Sequence, residues 1–310
     1  MNIFQNIDGC KNLKNPVLTL GVYDGLHIGH QSIINQLNNI SKQISGESVL
    51  LTFEPHPRIT LNKGADSLEL LTLLNEKVEL LEKYGLQNLI IQPFTKEFSM
   101  LNAEEFVKLL VDKIGVHTIV IGYDHHFGKD RSGDFDELSR LSEIYGFDCV
   151  KIEEIKAGVQ HISSTQIRKS LKEGNLDFAF LGLGRNYSLT GKVIHGDKLG
   201  RELGFPTANL KIEKYKLIPG DGVYIVKVIL DGEIFKGLIS IGTRPTVSDK
   251  NERRTEVYIL DFDRDIYDKE LMIEFQHKIR DDKKFNSVEE LIQQMNSDKL
   301  IAENFSLNHG

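Results

Sequence analysis

Residues 17–44 read VLTLGVYDGLHIGHQSIINQLNNISKQI, and this stretch decides the fold class of the first half of the chain. Residues 17–22 form a short run rich in apolar, strand-forming residues. Apolar side chains then recur at helical spacing from Ile33 to Ile44. A glycine-rich turn separates the two segments, so the stretch predicts a buried strand, a loop and an amphipathic helix.

The same alternation of strand-like runs and helical periodicity continues to residue 152. The strand-like runs are residues 49–53, 89–92, 118–122 and 149–152. The helical segments are residues 70–84, 103–114 and 134–145, the second with Asn102 as its predicted N-cap. Strands that alternate with helices of this length predict a mostly parallel sheet with helices on both faces.

The sequence pattern changes near residue 183, where glycine becomes frequent and apolar residues begin to alternate with polar ones. The strand-like segments of this half are residues 187–194, 223–230, 234–241, 255–260 and 271–275. Turns such as Asp231-Gly232 join them, and hairpins at this spacing predict a small antiparallel barrel. A final helix is predicted at residues 287–295. We therefore expect two domains, residues 1–184 and 185–310.

Length and composition agree with two domains and exclude several protein classes. The chain has 310 residues, and a common domain has roughly 150. Its 38 basic and 45 acidic residues give a net charge of -7, so nucleic acid is not an expected partner. No apolar run approaches the roughly 18 residues that span a bilayer, so no membrane is expected either. Oligomeric state is left open.

The cysteines and the first residues point to the cytoplasm. The two cysteines, Cys10 and Cys149, cannot form a disulfide framework and lack the spacing of metal ligands. Residues 1–9 do not combine a basic segment with an apolar stretch, which is the pattern of a secretory signal. We therefore expect a cytoplasmic protein.

The turn at residues 21–31 is the first candidate site. In an open α/β sheet, ligands bind beyond the carboxyl ends of the strands. Glycines in this turn, Gly21 and Gly29 among them, let the backbone approach a phosphate, and the following helix N-terminus favours anions. His27 and His30 can direct N–H donors at phosphate oxygens, which predicts a phosphoryl or adenylyl transfer site. The alternative is a turn with two surface histidines.

Residues 21–30 resemble the HxGH signature of the nucleotidyltransferase superfamily. That resemblance implies attack on the α-phosphate of a nucleoside triphosphate. Residues 162–168, ISSTQIR, are similar to the superfamily's second element, which holds the outer phosphates. Ser163 or Ser164 would cap the next helix, and Arg168 would supply a delocalised charge. Taken alone, this segment is only the capped start of a helix.

Two further segments narrow the family. Residues 52–58, TFEPHPR, follow the second predicted strand, and residues 121–128, IGYDHHFG, follow the fourth. Together the four segments resemble the N-terminal module of the prokaryotic bifunctional riboflavin kinase/FAD synthetase family, which implies adenylyl transfer from ATP to FMN. This chain carries His125 where the family often has Phe, which concerns the flavin or adenine pocket. Three histidines on two loops, His56 on one and His125 and His126 on the other, give a metal cluster only weak support.

The second half resembles the same family through its kinase signature. Residues 200–209 read GRELGFPTAN, and glycines there and at position 196 could wrap phosphates. Thr207 and Asn209 offer hard oxygen ligands suited to Mg²⁺ bound with ATP. The chain has no G-x-x-x-x-G-K-[ST] motif, which excludes a P-loop kinase. The plain alternative is a barrel corner.

Glu256 is the predicted base of the kinase. A kinase that acts on an alcohol needs a group to accept the hydroxyl proton, and the family's catalytic base matches this residue. Strand alternation alone predicts a solvent-facing carboxylate at the same position. Residues 241–246 and 279–285 also match family segments that would line the flavin.

The resemblance implies an α/β nucleotidyltransferase domain with a parallel Rossmann-like sheet, followed by an antiparallel barrel kinase domain with a terminal helix. The substrates are riboflavin, FMN and ATP, and Mg²⁺ is the cofactor. The implied catalytic residues are His27, His30, Arg168 and Glu256. The implied ATP-binding residues are Gly21, Asp24, Gly29, Ser164, Thr165, Gly200 and Gly204. The implied flavin-binding residues are His56, Pro57, Asp124, Phe127 and Arg280, and the metal ligands are Thr207 and Asn209.

Other functions remain open at this point. A flavin sensor could keep the binding residues without turnover. One of the two activities could have been lost, or the first domain could act on another phosphorylated substrate. A tRNA-charging enzyme shares a similar histidine signature, but this chain is acidic and short and lacks an anticodon-reading module.

Overall fold

The structure is a computed structural model that describes residues 1–62, 64, 67–153, 156–157, 160–196, 200, 203–243 and 253–307. Contacts between Cα atoms divide the chain into two compact units, Met1–Ser163 and Ser164–Gly310.

A six-stranded sheet, parallel throughout, forms the centre of the first unit. Its strands are β1 (Asn2–Phe4), β2 (Pro16–Leu20), β3 (Glu47–Glu54), β4 (Asn88–Pro93), β5 (Thr118–Gly122) and β6 (Asp148–Ile152). Their spatial order is β1-β4-β3-β2-β5-β6. The chain runs outward from β2 through β3 to β4 and then crosses to β5 on the other side of β2. The carboxyl ends of β2 and β5 therefore flank the switch point where open α/β sheets bind ligands.

Helices cover both faces of this sheet. They are α1 (Ile28–Gln43), α2 (Pro57–Thr60), α3 (Leu74–Lys83), α4 (Ala103–Ile114) and α5 (Phe135–Tyr145). Consecutive residues of β2 point into different cores, because strand side chains alternate between faces. Val17 packs with apolar residues of α1 and α3, and Leu18 packs with those of α4 and α5. The predicted parallel α/β architecture is confirmed.

The differences from the predicted elements in this unit have local causes. Strand β1 was not predicted, because three residues carry no periodicity, and it forms only by pairing with β4. Helix α3 begins at Leu74 rather than at residue 70, since the backbone N–H groups of Leu71 and Thr72 donate to the Asp24 carboxylate instead. Asn102 caps α4 as predicted, and its Oδ1 accepts from the Glu105 N–H at 2.9 Å.

The second unit is a closed six-stranded barrel with flanking helices. A short hairpin, β7 (Lys156–Ala157) and β8 (Gln160–His161), precedes it in the chain. The unit contains α6 (Ser164–Lys172), α7 (Leu176–Leu183), β9 (Ser188–Ile194), β10 (Thr207–Ile212), β11 (Gly222–Leu230), β12 (Glu233–Thr243), β13 (Arg253–Ile259), β14 (Glu270–Arg280) and α8 (Val288–Asn304). Neighbouring strands are antiparallel in the order β10-β13-β12-β11-β14-β9. The predicted antiparallel barrel with a terminal helix is confirmed.

Some bounds in this unit also differ from the prediction. Strand β10 was not predicted, because its first residues carry the polar kinase motif. Helix α8 extends to Asn304, well past the predicted end at residue 295. The Asp231-Gly232 turn is as expected, with φ of +49° and +84°. The expected domain boundary after residue 184 stays a prediction; it falls just beyond α7, which the contacts group with the barrel.

Candidate active sites

The loop after β2 starts with a backbone shape that requires glycine. Gly21 has φ of +148°, and its N–H donates to the Leu51 carbonyl at 3.0 Å. A Cβ at Gly21 would stand 3.2 Å from the ring of Tyr23. The Tyr23 hydroxyl is itself hydrogen-bonded to Thr19 Oγ1 at 2.7 Å. The chain therefore turns sharply at Gly21 as it leaves the sheet, and the Tyr23 ring packs against this glycine.

His27 and His30 lie together at the start of α1. His27 is the N-cap, and its Nδ1 accepts from the His30 backbone N–H at 3.4 Å. Because Nδ1 is the acceptor, the neutral ring carries its proton on Nε2. The two imidazole rings stack with centroids 3.7 Å apart, and the Tyr23 ring lies 4.6 Å from that of His30. The predicted pair is thus one compact group of donors at the switch point.

His30 is held in its neutral form. Burial lowers the pKa of His30 well below its ordinary 6.5, and the neighbouring His27, Lys77 and His125 lower it further. Its Nδ1 is buried and finds no hydrogen-bond partner among the described residues. A neutral imidazole can donate a hydrogen bond to a phosphate oxygen, but it adds no positive charge. His30 therefore offers this site a hydrogen-bond donor rather than a positive charge.

The loop after β5 brings His125 to the same place. Its Cε1 lies 3.8 Å from where a Cβ on Gly21 would stand. Its Nε2 is also buried without a hydrogen-bond partner in the described part of the chain, and burial lowers the pKa of His125 to about 4. The adjacent Asp124 is exposed, whereas Phe127 packs in the core beside Phe106. The flavin contacts predicted for Asp124 and Phe127 stay predictions.

Asp24 is buried and holds a neighbouring loop. Its Oδ2 accepts from the Leu71 N–H at 3.2 Å, and its Oδ1 accepts from the Thr72 N–H at 3.0 Å. The Thr72 hydroxyl in turn accepts from the Gly25 N–H at 3.0 Å. Through these hydrogen bonds Asp24 has a structural role, which was not predicted from the sequence. Its predicted contact with ATP stays a prediction.

Lys77, a residue that the sequence analysis missed, is buried next to this group. Its side chain emerges from α3, and its Nζ donates to Thr52 Oγ1 at 3.4 Å. A signal was present: Leu74, Lys77, Val78 and Leu81 have the i, i+3, i+4, i+7 spacing of one helix face. A lysine in the middle of an apolar stripe is a reason to look for a function.

The other residues predicted for the adenylyl site lie on three elements. His56 caps the short helix α2, where its Nδ1 accepts from the Arg58 N–H at 3.1 Å, and Pro57 is the first helical residue. Gly29 lies against His27, since a Cβ there would be 3.2 Å from the ring. Ser164, Thr165 and Arg168 lie in the first turns of α6, in the second unit. The phosphate contacts of these residues stay predictions.

In the barrel, strand pairing brings three predicted residues onto one face. Asn209 of β10 lies opposite Glu256 of β13, and Thr207 lies two residues earlier on β10. The Thr207 hydroxyl donates to Glu256 Oε2 at 3.3 Å. Along β13, Thr255 and Val257 are buried while Glu256 is partly exposed, so Glu256 points away from the packed interior. The face carries a hydroxyl, an amide and a carboxylate within reach of one another.

Glycines keep the space beside this face open. A Cβ at Gly200 would lie 3.1 Å from Thr207 Oγ1, and one at Gly196 would overlap the Asn209 amide. Gly204 has φ of +83°, a conformation that favours glycine. The oxygens of Thr207, Asn209 and Glu256 are hard ligands that fit Mg²⁺. Within the described ranges, no group of three His, Cys, Asp or Glu side chains could hold a metal.

Arg280 has a partner that the sequence did not reveal. Its Nη2 donates to Asp298 Oδ2 at 2.8 Å, and its Nε donates to both carboxylate oxygens. The Asp298 side chain, on α8, is only 3% exposed. The pair joins the end of β14 to the terminal helix, and the predicted flavin contact of Arg280 stays a prediction. Residues 201–202 and 244–246 of the predicted kinase segments lie outside the described residues.

Comparisons with known proteins assign a family to each half of the chain. The FAD synthetase family model matches residues 10–166, and the riboflavin kinase family model matches residues 183–306. The bifunctional riboflavin kinase/FMN adenylyltransferase of Listeria monocytogenes serovar 1/2a is 39% identical, with 92% of this chain and 90% of that protein covered. The Escherichia coli K12 protein of the same name is 36% identical, with 93% and 92% covered.

A solved structure shares the whole fold. It is titled as a macrolide-efflux protein from Streptococcus pneumoniae, is 30% identical, and has a TM-score of 0.89 over 98% of this chain and 99% of that one. Among the described helices of this chain, none has the length and apolar character needed to cross a bilayer.

Fold, sites and similarities define a two-unit transferase of flavin metabolism, in which one unit transfers a phosphoryl group and the other an adenylyl group. The chain belongs to the family of bifunctional riboflavin kinase/FMN adenylyltransferases. It converts riboflavin to FMN with ATP, and then converts FMN and a second ATP to FAD and pyrophosphate. The family resemblance drawn from the sequence is confirmed.

Proposed function

We propose that riboflavin is phosphorylated on the strand face formed by β10 and β13. Glu256 accepts the proton of the flavin 5′-hydroxyl as that oxygen attacks the γ-phosphorus of ATP. The bond between the γ-phosphorus and the β,γ-bridging oxygen breaks, and ADP leaves. The observation that carries this proposal is the register that sets Thr207, Asn209 and Glu256 side by side.

Thr207 and Asn209 would hold Mg²⁺ together with the phosphates of ATP, and the metal would neutralise charge on the phosphate oxygens. Gly200 and Gly204 let backbone N–H groups approach those oxygens, because no Cβ blocks them. Arg280 lines the flavin side of this unit.

We also propose that FMN is adenylylated at the His27–His30 group. A phosphate oxygen of FMN attacks the α-phosphorus of ATP, the α–β bridging bond breaks, and pyrophosphate leaves. The attacking phosphate is already an anion, so no base is required. His27 and His30 donate hydrogen bonds to the α-phosphate oxygens, whose charge increases in the transition state.

The remaining predicted residues complete this reaction. By the family resemblance, Gly21, Asp24 and Gly29 are assigned to the nucleotide, and Ser164, Thr165 and Arg168 are assigned to its outer phosphates. His56, Pro57, Asp124 and Phe127 border the flavin. We also propose that the enzyme is cytoplasmic, since the free thiols of Cys10 and Cys149 suit a reducing compartment.

The proposal is tested with riboflavin, ATP and Mg²⁺, with riboflavin, FMN and FAD separated by chromatography over time. Wild-type enzyme is expected to form FMN first and FAD second. The His30→Ala variant should form FMN and no FAD, because it lacks a transition-state donor. The Glu256→Ala variant should lose about 10²–10⁴-fold in FMN formation yet convert supplied FMN to FAD.

Three results would contradict the proposal. Loss of both activities in a folded single variant would exclude two separate sites. Removal of Mg²⁺ by a chelator without effect on FMN formation would exclude the metal role. Tight flavin binding without ATP consumption by the wild-type protein would indicate a sensor.

A further inference from the structure

Lys77 is a buried cation at the edge of the sheet where the adenylyl site lies. Its residue exposure is 4%, although lysine is among the residues least often buried. It lies on the inner face of α3, between Leu74 and Leu81. Methionine or leucine would fill such a position without the cost of removing an ammonium group from water. The charge therefore needs an explanation beyond packing.

The position of the ammonium is set by Thr52. Lys77 Nζ donates to Thr52 Oγ1 at 3.4 Å, and Thr52 is fully buried near the carboxyl end of β3. The preceding residue of that strand, Leu51, accepts the hydrogen bond from the Gly21 N–H. The lysine head group is therefore level with the first residue of the loop that carries His27 and His30.

This ammonium is poorly satisfied by the protein. It has three N–H donors, and the described residues offer it one long hydrogen bond to a neutral hydroxyl. Burial lowers the pKa of Lys77, while the nearby carboxylates of Asp24 and Glu54 raise it. Asp24 already accepts hydrogen bonds from two backbone N–H groups, which ties its carboxylate to another loop. Two donors of the lysine are left for a further acceptor.

The substrates of this site carry the acceptors that fit. ATP and FMN bring several phosphate oxygens, and the neutral His30 cannot balance their charge. A cation in a poorly hydrated site acts far more strongly on such oxygens than a cation in water. The charge of Lys77 already reaches this group, since it contributes to the lowered pKa of His30.

We propose that Lys77 is a further catalytic residue of the adenylyl-transfer reaction, whose ammonium binds a substrate phosphate oxygen beside His30. This inference rests on the proposed role of the His27–His30 group. As the FMN oxygen bonds to the α-phosphorus and pyrophosphate departs, Lys77 stabilises the phosphate charge and keeps its own proton.

The test measures FAD formation from supplied FMN and ATP by the Lys77→Met and Lys77→Arg variants. We expect Lys77→Met to lower kcat/KM by about 100-fold and Lys77→Arg to lower it less, because arginine keeps the charge. The riboflavin kinase activity of the same preparation should stay at the wild-type rate. A rise in KM for ATP alone assigns the lysine to the nucleotide phosphates, and a rise for FMN alone assigns it to the flavin phosphate.

A purely structural lysine predicts a different outcome. If Lys77 only balances the charge of Glu54, the double variant Lys77→Met/Glu54→Gln should recover wild-type FAD formation, and that recovery would overturn the proposal. Unchanged kinetics in Lys77→Met would overturn it too. Hydrogen exchange of the β2 and β3 amides reports whether the first unit is folded.

Two further variants cover an unfolded Lys77→Met protein and a wrongly assigned site. Should Lys77→Met unfold the first unit, wild-type kcat and KM values in the folded Lys77→Arg variant would overturn the proposal. The His30→Ala variant separates this inference from its basis: if His30→Ala forms FAD normally, the site itself is wrong. If only the lysine variants form FAD normally, the site stands and the role of Lys77 falls.

Discussion

In the proposed mechanism, the two units of this enzyme bind the phosphates of ATP with different kinds of side chain. The first unit uses nitrogen donors that are partly or fully enclosed, with His27 and His30 stacked 3.7 Å apart at the edge of a parallel sheet. The second unit uses oxygen ligands on a strand face, with Thr207 and Glu256 3.3 Å apart. Nitrogen donors bind phosphate directly, whereas the oxygens suit a metal that travels with ATP.

This contrast has a consequence for stability. The first unit shares its site with its core, because Lys77 is buried and His30 and His125 are half-buried in the packing that holds the sheet and helices together. The second unit separates the two tasks at Thr207 and Glu256, whose face points away from the barrel interior. Arg280 combines them, since it is assigned to the flavin and also pairs with the buried Asp298 of the terminal helix. Substitutions should therefore affect activity and folding together in the first unit and separately at Thr207 and Glu256.

The largest effect is expected at Asp298. The Asp298→Ala variant leaves the Arg280 guanidinium, 19% exposed, without its carboxylate, which should lower the free energy of unfolding by about 3–5 kcal/mol. Urea denaturation, with hydrogen exchange of β11 and β14 amides, measures the loss. The matched control is Asp268→Ala, since the exposed Asp268–Lys192 pair should contribute less than about 1 kcal/mol. Equal losses in both variants would contradict the assigned anchor.

A smaller effect, confined to activity, is expected at Thr207. The Thr207→Val variant keeps the shape of the side chain and removes the hydroxyl that donates to Glu256. We expect FMN formation to fall by about 10–100-fold, with a change in unfolding free energy below about 1 kcal/mol. Thr207→Ser, which keeps the hydroxyl, is the control. If valine lowered stability as much as activity, the separation of tasks in the barrel would be wrong.

The smallest effect is an acid sensitivity at His125. Its pKa is about 4 in the folded chain against an ordinary 6.5, so between these values the unfolded chain binds the extra proton. Its contribution is fully present above pH 6.5 and is lost as the pH falls toward 4. The loss should be on the order of 1 kcal/mol by about pH 5.

The variant His125→Phe removes this proton uptake, so its unfolding free energy should vary less with pH across that range. Urea denaturation at a series of pH values measures the slope. The exposed His126→Phe on the same loop is the control and should keep the wild-type slope. A slope unchanged in His125→Phe would show that His125 is not enclosed.

Helices and strands could be predicted from the sequence wherever the apolar residues of a single segment recur at helix or strand spacing and are buried on one face. Strand β5 and helix α4 match the predicted bounds, and Asn102 is the N-cap of α4 as predicted. Strand β1 was not predicted because it forms only against β4, where the Asn2 side-chain amide donates a hydrogen bond to Asn88 Oδ1, 86 residues away in the chain. Strand β10 was not predicted because its first residues are those of the polar kinase motif.

The candidate site residues also differ in whether neighbouring or distant parts of the chain bring them together. His27 and His30 share one loop, so their spacing alone places them together. Thr207 and Glu256 were each identified from a motif, and only the antiparallel register of β10 and β13 sets them 3.3 Å apart. Lys77 was missed because its helix lies far along the chain from the histidines.

The sequence by itself determined the two-domain plan, the α/β and barrel classes, the family and the histidine pair. These features depend on the identity and spacing of neighbouring residues, which local chain geometry converts directly into strands, helices and loops. Only the tertiary structure decided that Lys77 lies under the adenylyl loop, that Phe127 packs in a core and that Arg280 pairs with Asp298. Those contacts join segments distant in the chain, and sheet order and helix packing decide which distant segments meet.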